Sequence, residues 1–328
     1  MHARSAYATP PWSATLPPQI PGRSSLAYDH VRQLLKGGKT VILDGAMGTE
    51  IQARGSNLLR VAWGGPASIE SPDMVRGIHA DYISAGADVI TTNTFRGSRP
   101  RLRANGLEAE LASLNQRSVA LAIEALSRAG AAVDRVAIAG AISTASVREL
   151  EEPHEGYDAY VEQAKLLADA GADLILLEML KDIHQTQAAL AAAAETGLPV
   201  WAGFSCRTDE EGVLRVLEGN REGALAPTFH EALSAIGELQ VDAALIMHTT
   251  VEDVTPALAV LGTHWNGPTG AYPHVGNFTR PNWEFNQAIR PALITGAASQ
   301  WQAQGAQIFG TCCGLGPDYI SALNTMLR

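Results

Sequence analysis

Two stretches of the chain read almost alike: Ala85-Gly86-Ala87-Asp88-Val89-Ile90-Thr91-Thr92 and Ala170-Gly171-Ala172-Asp173-Leu174-Ile175-Leu176-Leu177-Glu178. Each follows an Ala-rich amphipathic segment. The glycine suits the residue just past a helix, because it accepts the left-handed backbone conformation that ends one. The short, unbroken apolar run that follows is what a strand buried on both faces looks like. A looser copy is Gly305-Ala306 before Gln307-Ile308-Phe309-Gly310-Thr311.

Working outward from these copies, eight apolar runs qualify as parallel strands: Thr40–Leu43, Asp88–Thr92, Arg135–Gly140, Leu174–Glu178, Val200–Ser205, Ala243–His248, Thr269–Tyr272 and Gln307–Thr311. Segments long enough for helices separate them, among them Ser71–Ala85, Glu108–Arg128, Tyr157–Ala170 and Ile183–Thr196. Strand and helix alternating eight times, with no linker-like shift in composition, predict an α/β fold of the (β/α)8 TIM-barrel type over residues 26–328. A dinucleotide-binding open sheet is disfavoured, because no Gly-x-Gly-x-x-Gly turn follows the first strand. Residues 1–25 read as a flexible Pro-rich extension, since Pro10, Pro11, Pro17, Pro18 and Pro21 interrupt any helix. They contain no continuous apolar core of a secretory signal, and no run in the chain is long enough to span a membrane. This arm is free to dock on a second copy in a homo-oligomer or to stay solvated.

The 328 residues carry 34 acidic and 24 basic side chains, a formal net charge of −10. Without a dense basic run, that balance argues against nucleic acid or an anionic membrane as partner. Three cysteines, Cys206, Cys312 and Cys313, make no disulfide framework and favour a reducing, cytoplasmic setting.

Barrel chemistry lies at the C-terminal ends of the strands. There the sequence offers Asp44-Gly45, Asn93-Thr94-Phe95, Glu178, Ser205-Cys206, His248 and Cys312-Cys313. Thiolates are soft ligands suited to Zn²⁺, and two of them with an imidazole would leave a fourth, open position. Other readings stand beside this one: two small buried hydrophobes or a vicinal disulfide for the cysteine pair, and a hydrogen-bonded structural histidine for His248. Cys206 competes with His248 as third ligand. Asp44 and Glu178 could hold an ammonium group or merely cap the helices that follow. Lys181 is the one lysine near a strand end that a Schiff-base aldolase would require.

Together these residues resemble the zinc-dependent homocysteine S-methyltransferases, a family that includes the betaine- and S-methylmethionine-dependent enzymes. The likeness spans about residues 36–328. It rests on Leu43-Asp44-Gly45-Ala46-Met47-Gly48-Thr49-Glu50, Gly86–Phe95, Gly171–Glu178, Gly203-Phe204-Ser205-Cys206, Tyr272-Pro273 and Gly310-Thr311-Cys312-Cys313-Gly314. The resemblance implies a Zn²⁺ cofactor held by Cys312 and Cys313. It implies a substrate site with Glu178 on the amino group of homocysteine, and Asp44, Gly45, Thr94 and Phe95 around it. The reaction implied is methyl transfer from a sulfonium or quaternary ammonium donor to the homocysteine thiolate, giving methionine, so the partners are a small thiol and a small methyl donor. Asp44 and Glu178 are the carboxylates expected to serve catalysis.

The chain also departs from the pattern. Where the family places its third zinc cysteine, after an asparagine, this sequence reads Met247-His248-Thr249. His274 replaces the asparagine after Tyr-Pro, and Gly140-Ala141-Ile142-Ser143-Thr144 lacks a Gly-Pro. Three readings follow: His248 substitutes as ligand, Cys206 is recruited, or the site has diverged to another donor and acceptor or to a silent zinc-binding barrel. His248 with Cys312 and Cys313 is the ligand set expected. A neutral imidazole in place of a thiolate removes one negative charge from the centre, which suits a strongly activated donor such as a sulfonium. The scarcity of aromatic residues disfavours betaine.

Overall fold

The computed structural model describes residues 23–56, 64–129, 134–145, 150–152, 154–217, 225–279, 282–284 and 290–328. Eight parallel strands form one sheet: β1 (Val41–Ile42), β2 (Val89–Thr91), β3 (Ala137–Ser143), β4 (Leu174–Leu180), β5 (Val200–Phe204), β6 (Ala243–Met247), β7 (Thr269–Tyr272) and β8 (Ile308–Phe309). Neighbours in sequence are neighbours in the sheet, and β8 pairs back onto β1 through Val41–Ile308 and Ile42–Phe309. A bridge between Leu43 and Val89 joins β1 to β2 and closes the ring. All eight runs expected as strands are strands of this barrel. The four expected helices form as Pro72–Ser84, Leu111–Ala129, Glu155–Ala170 and Ile183–Ala194, the second preceded by a 3-10 turn at Glu108–Glu110.

Side chains alternate across the strand plane, as the pleat requires. Val41, Leu43, Val89, Ala137, Ala139, Leu174, Leu176, Trp201, Ala243, Leu245, Met247 and Ile308 fill the barrel interior. Their alternates, among them Ile42, Ile90, Ile138, Ile175, Ala202 and Ile246, pack outward in the layer shared with the helices. Trp201 therefore belongs to the barrel interior. Its indole N–H donates to the Tyr28 hydroxyl at 3.2 Å. Tyr28 sits on the first helix, Arg23–Lys36, whose Ala27, Val31 and Leu35 join the interior cluster and plug the barrel at the N-terminal ends of its strands. That helix begins inside the stretch expected to be a flexible arm; residues 1–22 lie outside the described residues.

The Gly-Ala-Asp repeats have a structural purpose. Asp88 donates its backbone N–H to the Ile42 carbonyl at 2.7 Å, and its carboxylate accepts from the Ile42 N–H at 2.7 Å. Asp173 closes the same double bond with Ile138, at 2.8 and 2.7 Å. Asp242 does so with Val200, at 2.7 and 3.0 Å. Each aspartate pins the start of one strand to its predecessor and fixes the register. Asp173 is buried and Asp242 exposed. Asp173→Ala should therefore cost about 2 kcal/mol and Asp242→Ala under about 1 kcal/mol, because a buried N–H left without its charged acceptor cannot turn to water. Urea denaturation of the two variants checks the order.

Candidate active site

The strand order brings the ends of β6, β7 and β8 side by side, and three backbone bonds lock them there. The His248 N–H donates to the Tyr272 carbonyl at 3.2 Å, Cys312 N–H to Pro273 at 2.8 Å, and Val275 N–H to Cys313 at 3.0 Å. His248 follows β6, the cysteine pair follows β8, and Tyr272-Pro273-His274 runs between them. The result is a convergence of three donor atoms, one each from His248, Cys312 and Cys313, all within 4.8 Å of one another. Cys312 Sγ lies 3.5 Å from His248 Nδ1 and 3.9 Å from Cys313 Sγ. All three cysteines are free thiols.

These separations fit a zinc ion. With Zn–S near 2.3 Å and Zn–N near 2.0–2.1 Å, the edges of a tetrahedron are about 3.8 Å between two sulfurs and about 3.6 Å between sulfur and nitrogen. Without a cation, the Cys313 thiol beside it and burial push the Cys312 thiol well above its ordinary pKa. Two adjacent thiolates need a cation to balance them, and the donor set is one that zinc prefers. His248 has φ of 45°, a left-handed conformation rare outside glycine, and Met179 at the end of β4 has φ of 54°. Non-glycine residues held this way gather at functional sites. His274 stacks on the His248 ring, with centroids 4.4 Å apart and planes 27° from parallel. Burial, and then the neighbouring His248, lower its pKa to about 4.

Cys206 stands apart from this group. It is buried under the rim, its N–H donates to Thr249 Oγ1 at 3.1 Å, and burial raises its thiol far above the ordinary value. It opens a short hairpin, Cys206–Thr208 with Leu214–Val216, that the sequence did not announce.

A cavity of about 210 Å³ opens beside the three donor atoms, and Asp44, Gly45, Phe95, Glu178, His248, Cys312 and Cys313 all line it. Thr94 does not: it is fully buried behind the wall, where its hydroxyl donates to the Ala141 carbonyl at 2.7 Å. Neither expected carboxylate caps a helix. The helix after Glu178 is capped by Asp182, and the helix after Asp44 has Ala46 at its cap position. Asp44 accepts from the N–H and hydroxyl of Thr91, both at 2.7 Å. Burial outweighs these bonds and raises its pKa to about 7. Glu178 lies where the β4–β5 register shifts, between Leu177 and Leu180, a device that re-aims side chains beside active sites. Burial, and then the Asp44 charge, push its pKa up to about 8, with the Tyr272 hydroxyl acting the other way. Gly45 has no room for a side chain, since a Cβ there would meet Thr311 Oγ1 at 2.5 Å and the Leu315 carbonyl at 2.8 Å. The wall also includes Thr91, Arg96, Arg101, Met179, Lys181, Met247 and Tyr272. Of these, Thr91, Met247, Lys181 and Tyr272 fall in stretches that the sequence singles out, and Arg96 and Arg101 in Phe95–Arg103, a loop it offers for contacts to the methyl donor.

Residues 41–327 match the homocysteine S-methyltransferase family. The chain belongs to that family. The chain is 30% identical to the Escherichia coli (strain K12) protein "Homocysteine S-methyltransferase" over 89% of its own length and 97% of that relative. It is 25% identical to the Bacillus subtilis (strain 168) homocysteine S-methyltransferase YbgG, over 91% and 98% of the two chains. Among solved structures, the metallated form of the homocysteine methyltransferase MmuM from Escherichia coli superposes with a TM-score of 0.71 at 26% identity, covering 90% of this chain and 99% of that one. The match confirms the (β/α)8 barrel and an enzyme of the methyltransferase class, EC 2.1.1 type. Among the described residues, no helix of this methyltransferase is long and apolar enough to cross a membrane.

Proposed function

We propose that the enzyme moves a methyl group from a sulfonium donor, S-methylmethionine or S-adenosylmethionine, to the sulfur of homocysteine, with zinc held by His248, Cys312 and Cys313. The observation that carries this reading is the spacing of those three donor atoms, on the wall of the cavity that also holds Glu178 and Asp44. Bound there, zinc would supply the positive charge that keeps a thiol sulfur ionised near neutral pH. Glu178 takes the α-ammonium of the acceptor. Asp44, held by Thr91, and the bare backbone of Gly45 frame the rest of the amino acid. In the transfer, a lone pair on the acceptor sulfur forms the new S–CH3 bond as the donor's S–CH3 bond breaks. The donor leaves as a neutral thioether and the acceptor's thiol proton goes to solvent. Holding the two reactants in line accounts for much of the acceleration.

A sulfonium suits this chain better than betaine for two reasons. Imidazole in place of a third thiolate leaves the centre less negative, so the acceptor sulfur is a weaker nucleophile and needs a better leaving group. Quaternary ammonium groups are recognised by aromatic cages. Among the described residues, Phe95 and Tyr272 are the two Phe, Tyr or Trp side chains on the cavity wall. Offering homocysteine with S-methylmethionine, S-adenosylmethionine and betaine in parallel tests the reading. Methionine is expected from a sulfonium donor. Fastest turnover with betaine overturns the donor, and no product with any of the three overturns the reaction.

A further inference from the structure

The rings of His248 and His274 are stacked, with centroids 4.4 Å apart and planes 27° from parallel. That spacing lies at the close end of the range for aromatic pairs, about 4.5–7 Å. The two rings have different surroundings. His248 lines the cavity and turns Nδ1 toward Cys312 Sγ at 3.5 Å. His274 is not among the residues that line the cavity.

The backbone fixes where both rings are attached. Met247 and Tyr272 are the last paired residues of β6 and β7. Beyond them the His248 N–H donates to the Tyr272 carbonyl and the His274 N–H to the Thr249 carbonyl, each at 3.2 Å. The Val275 N–H then donates to the Cys313 carbonyl at 3.0 Å, which ties the same segment to the cysteine pair. The ladder thus delivers His274 against His248, but it does not aim the His248 ring. With φ of 45°, His248 leaves the regular alternation of β6, so the pleat no longer dictates the direction of its side chain.

A ligating imidazole has a stricter requirement than a thiolate. Its lone pair lies in the ring plane, and the torsion that turns that plane is broad and soft. A cysteine sulfur carries lone pairs around its C–S axis and has no plane to aim. A ligand histidine is therefore held by groups outside the ligand set, and losing one of those typically weakens metal binding about 10–100-fold. A flat ring lying against the imidazole face opposes exactly this turning motion.

We propose that His274 is a positioning residue for the metal centre, whose ring clamps the plane of the His248 imidazole so that Nδ1 stays aimed at the thiol pair. The inference rests on His248 serving as the third zinc ligand in the reading above. His274 acts through the His248 ring, so a flat ring of another kind can replace it and a side chain without a ring cannot.

Zinc affinity, measured by competition with a chromophoric chelator, tests the clamp without turnover. His274→Asn, polar but without a ring, should weaken zinc binding by about tenfold or more. His274→Phe, which keeps a flat ring and loses both ring nitrogens, should stay within about twofold of the unaltered enzyme. The visible absorption of the Co²⁺-loaded proteins should follow the same division, altered in His274→Asn and kept in His274→Phe. In a His248→Cys background, where a sulfur takes the third position, His274→Asn should change zinc affinity by less than about twofold. An equal loss in both backgrounds would make His274 a general support of the rim and overturn the proposal. So would a His274→Phe that loses zinc as His274→Asn does. If His248→Cys holds no zinc, the contrast between asparagine and phenylalanine beside His248 decides alone. The methyl-transfer reading fails on other evidence, the lack of methionine from any donor, and the zinc affinities judge the clamp whether or not it does. Full zinc retention in His248→Ala removes the ligand and the clamp together.

Discussion

His248→Ala is expected to strip the enzyme of its zinc. The unaltered protein should carry about one equivalent per chain, whereas the variant should bind it at least ~100-fold more weakly and make no methionine above background. Both proteins must hold the same left-handed backbone at position 248, where φ is 45°, a conformation that histidine adopts more readily than alanine. Thermal melts of the two metal-free proteins separate added strain from the loss of the imidazole. His248→Cys sharpens the test. It restores the three-thiolate set that the family resemblance implies, at a position 3.5 Å from Cys312 in the present structure, so it should keep the metal. It should also be the more nucleophilic centre, since the added thiolate raises the negative charge around the metal. Full zinc retention in His248→Ala would remove His248 from the ligand set. A fall in zinc in Cys206→Ala would bring back the buried thiol that the structure sets apart.

How much of this was legible beforehand follows from the physics of each element. Strands covered on both faces must be continuous apolar runs, so all eight stood out, including the short β7. Their lengths were harder to read. β3 runs on to Ser143 because Ile142 and Ser143 pair with Leu177 and Glu178, and β4 to Leu180 because Leu180 pairs with Phe204 beyond the register shift, partnerships that no local pattern announces. The antiparallel pairs Cys206–Thr208 with Leu214–Val216 and Asn277–Thr279 with Asn282–Glu284 lie outside the barrel sheet, on short strands without an apolar run. At the site, Asp44, Glu178, His248 and the cysteine pair were found because a barrel places chemistry at strand ends. Thr94 satisfies the same positional rule, yet its side chain turns into the wall. Arg96 and Arg101 fall in Phe95–Arg103, a loop that the sequence offers for contacts to the methyl donor without a signature for which donor. Only the fold shows that, of Arg99, Arg101 and Arg103, it is Arg101 that is buried.

Glu178→Gln should give an enzyme that is more stable and nearly inactive. In the folded chain the Glu178 carboxyl is raised from an ordinary value of 4.5 to about 8. Between those two pH values the unfolded chain has released this proton while the folded chain still holds it. Folding stability therefore falls with rising pH at about 1.4 kcal/mol per unit for this one group. Glutamine has nothing to release. The variant should match the unaltered protein near pH 4.5 and gain on it steadily up to pH 8, ending a few kcal/mol ahead, a gap that thermal melts at pH 5 and pH 8 will resolve. Below about pH 7 Glu178 is still protonated, so Asp44, raised to about 7, titrates alike in both proteins; above that pH the two carboxylates are coupled and the difference between the proteins belongs to the pair. Binding shows the other side of this arrangement. An acceptor ammonium can pair only with the ionised carboxylate, so at pH 7 its arrival must drive the Glu178 proton into solvent. Calorimetry of homocysteine binding in buffers of different ionisation enthalpy should detect close to two protons released by the unaltered enzyme at pH 7, one from Glu178 and one from the acceptor thiol, and about one fewer by the variant. Removing one partner of a buried ammonium–carboxylate pair costs about 3–5 kcal/mol, so kcat/KM for homocysteine should fall by about two to four orders of magnitude. A variant that stays active, or one that loses activity without gaining stability at pH 8, would show that the carboxyl at the β4 bulge has another purpose than meeting the acceptor's amino group.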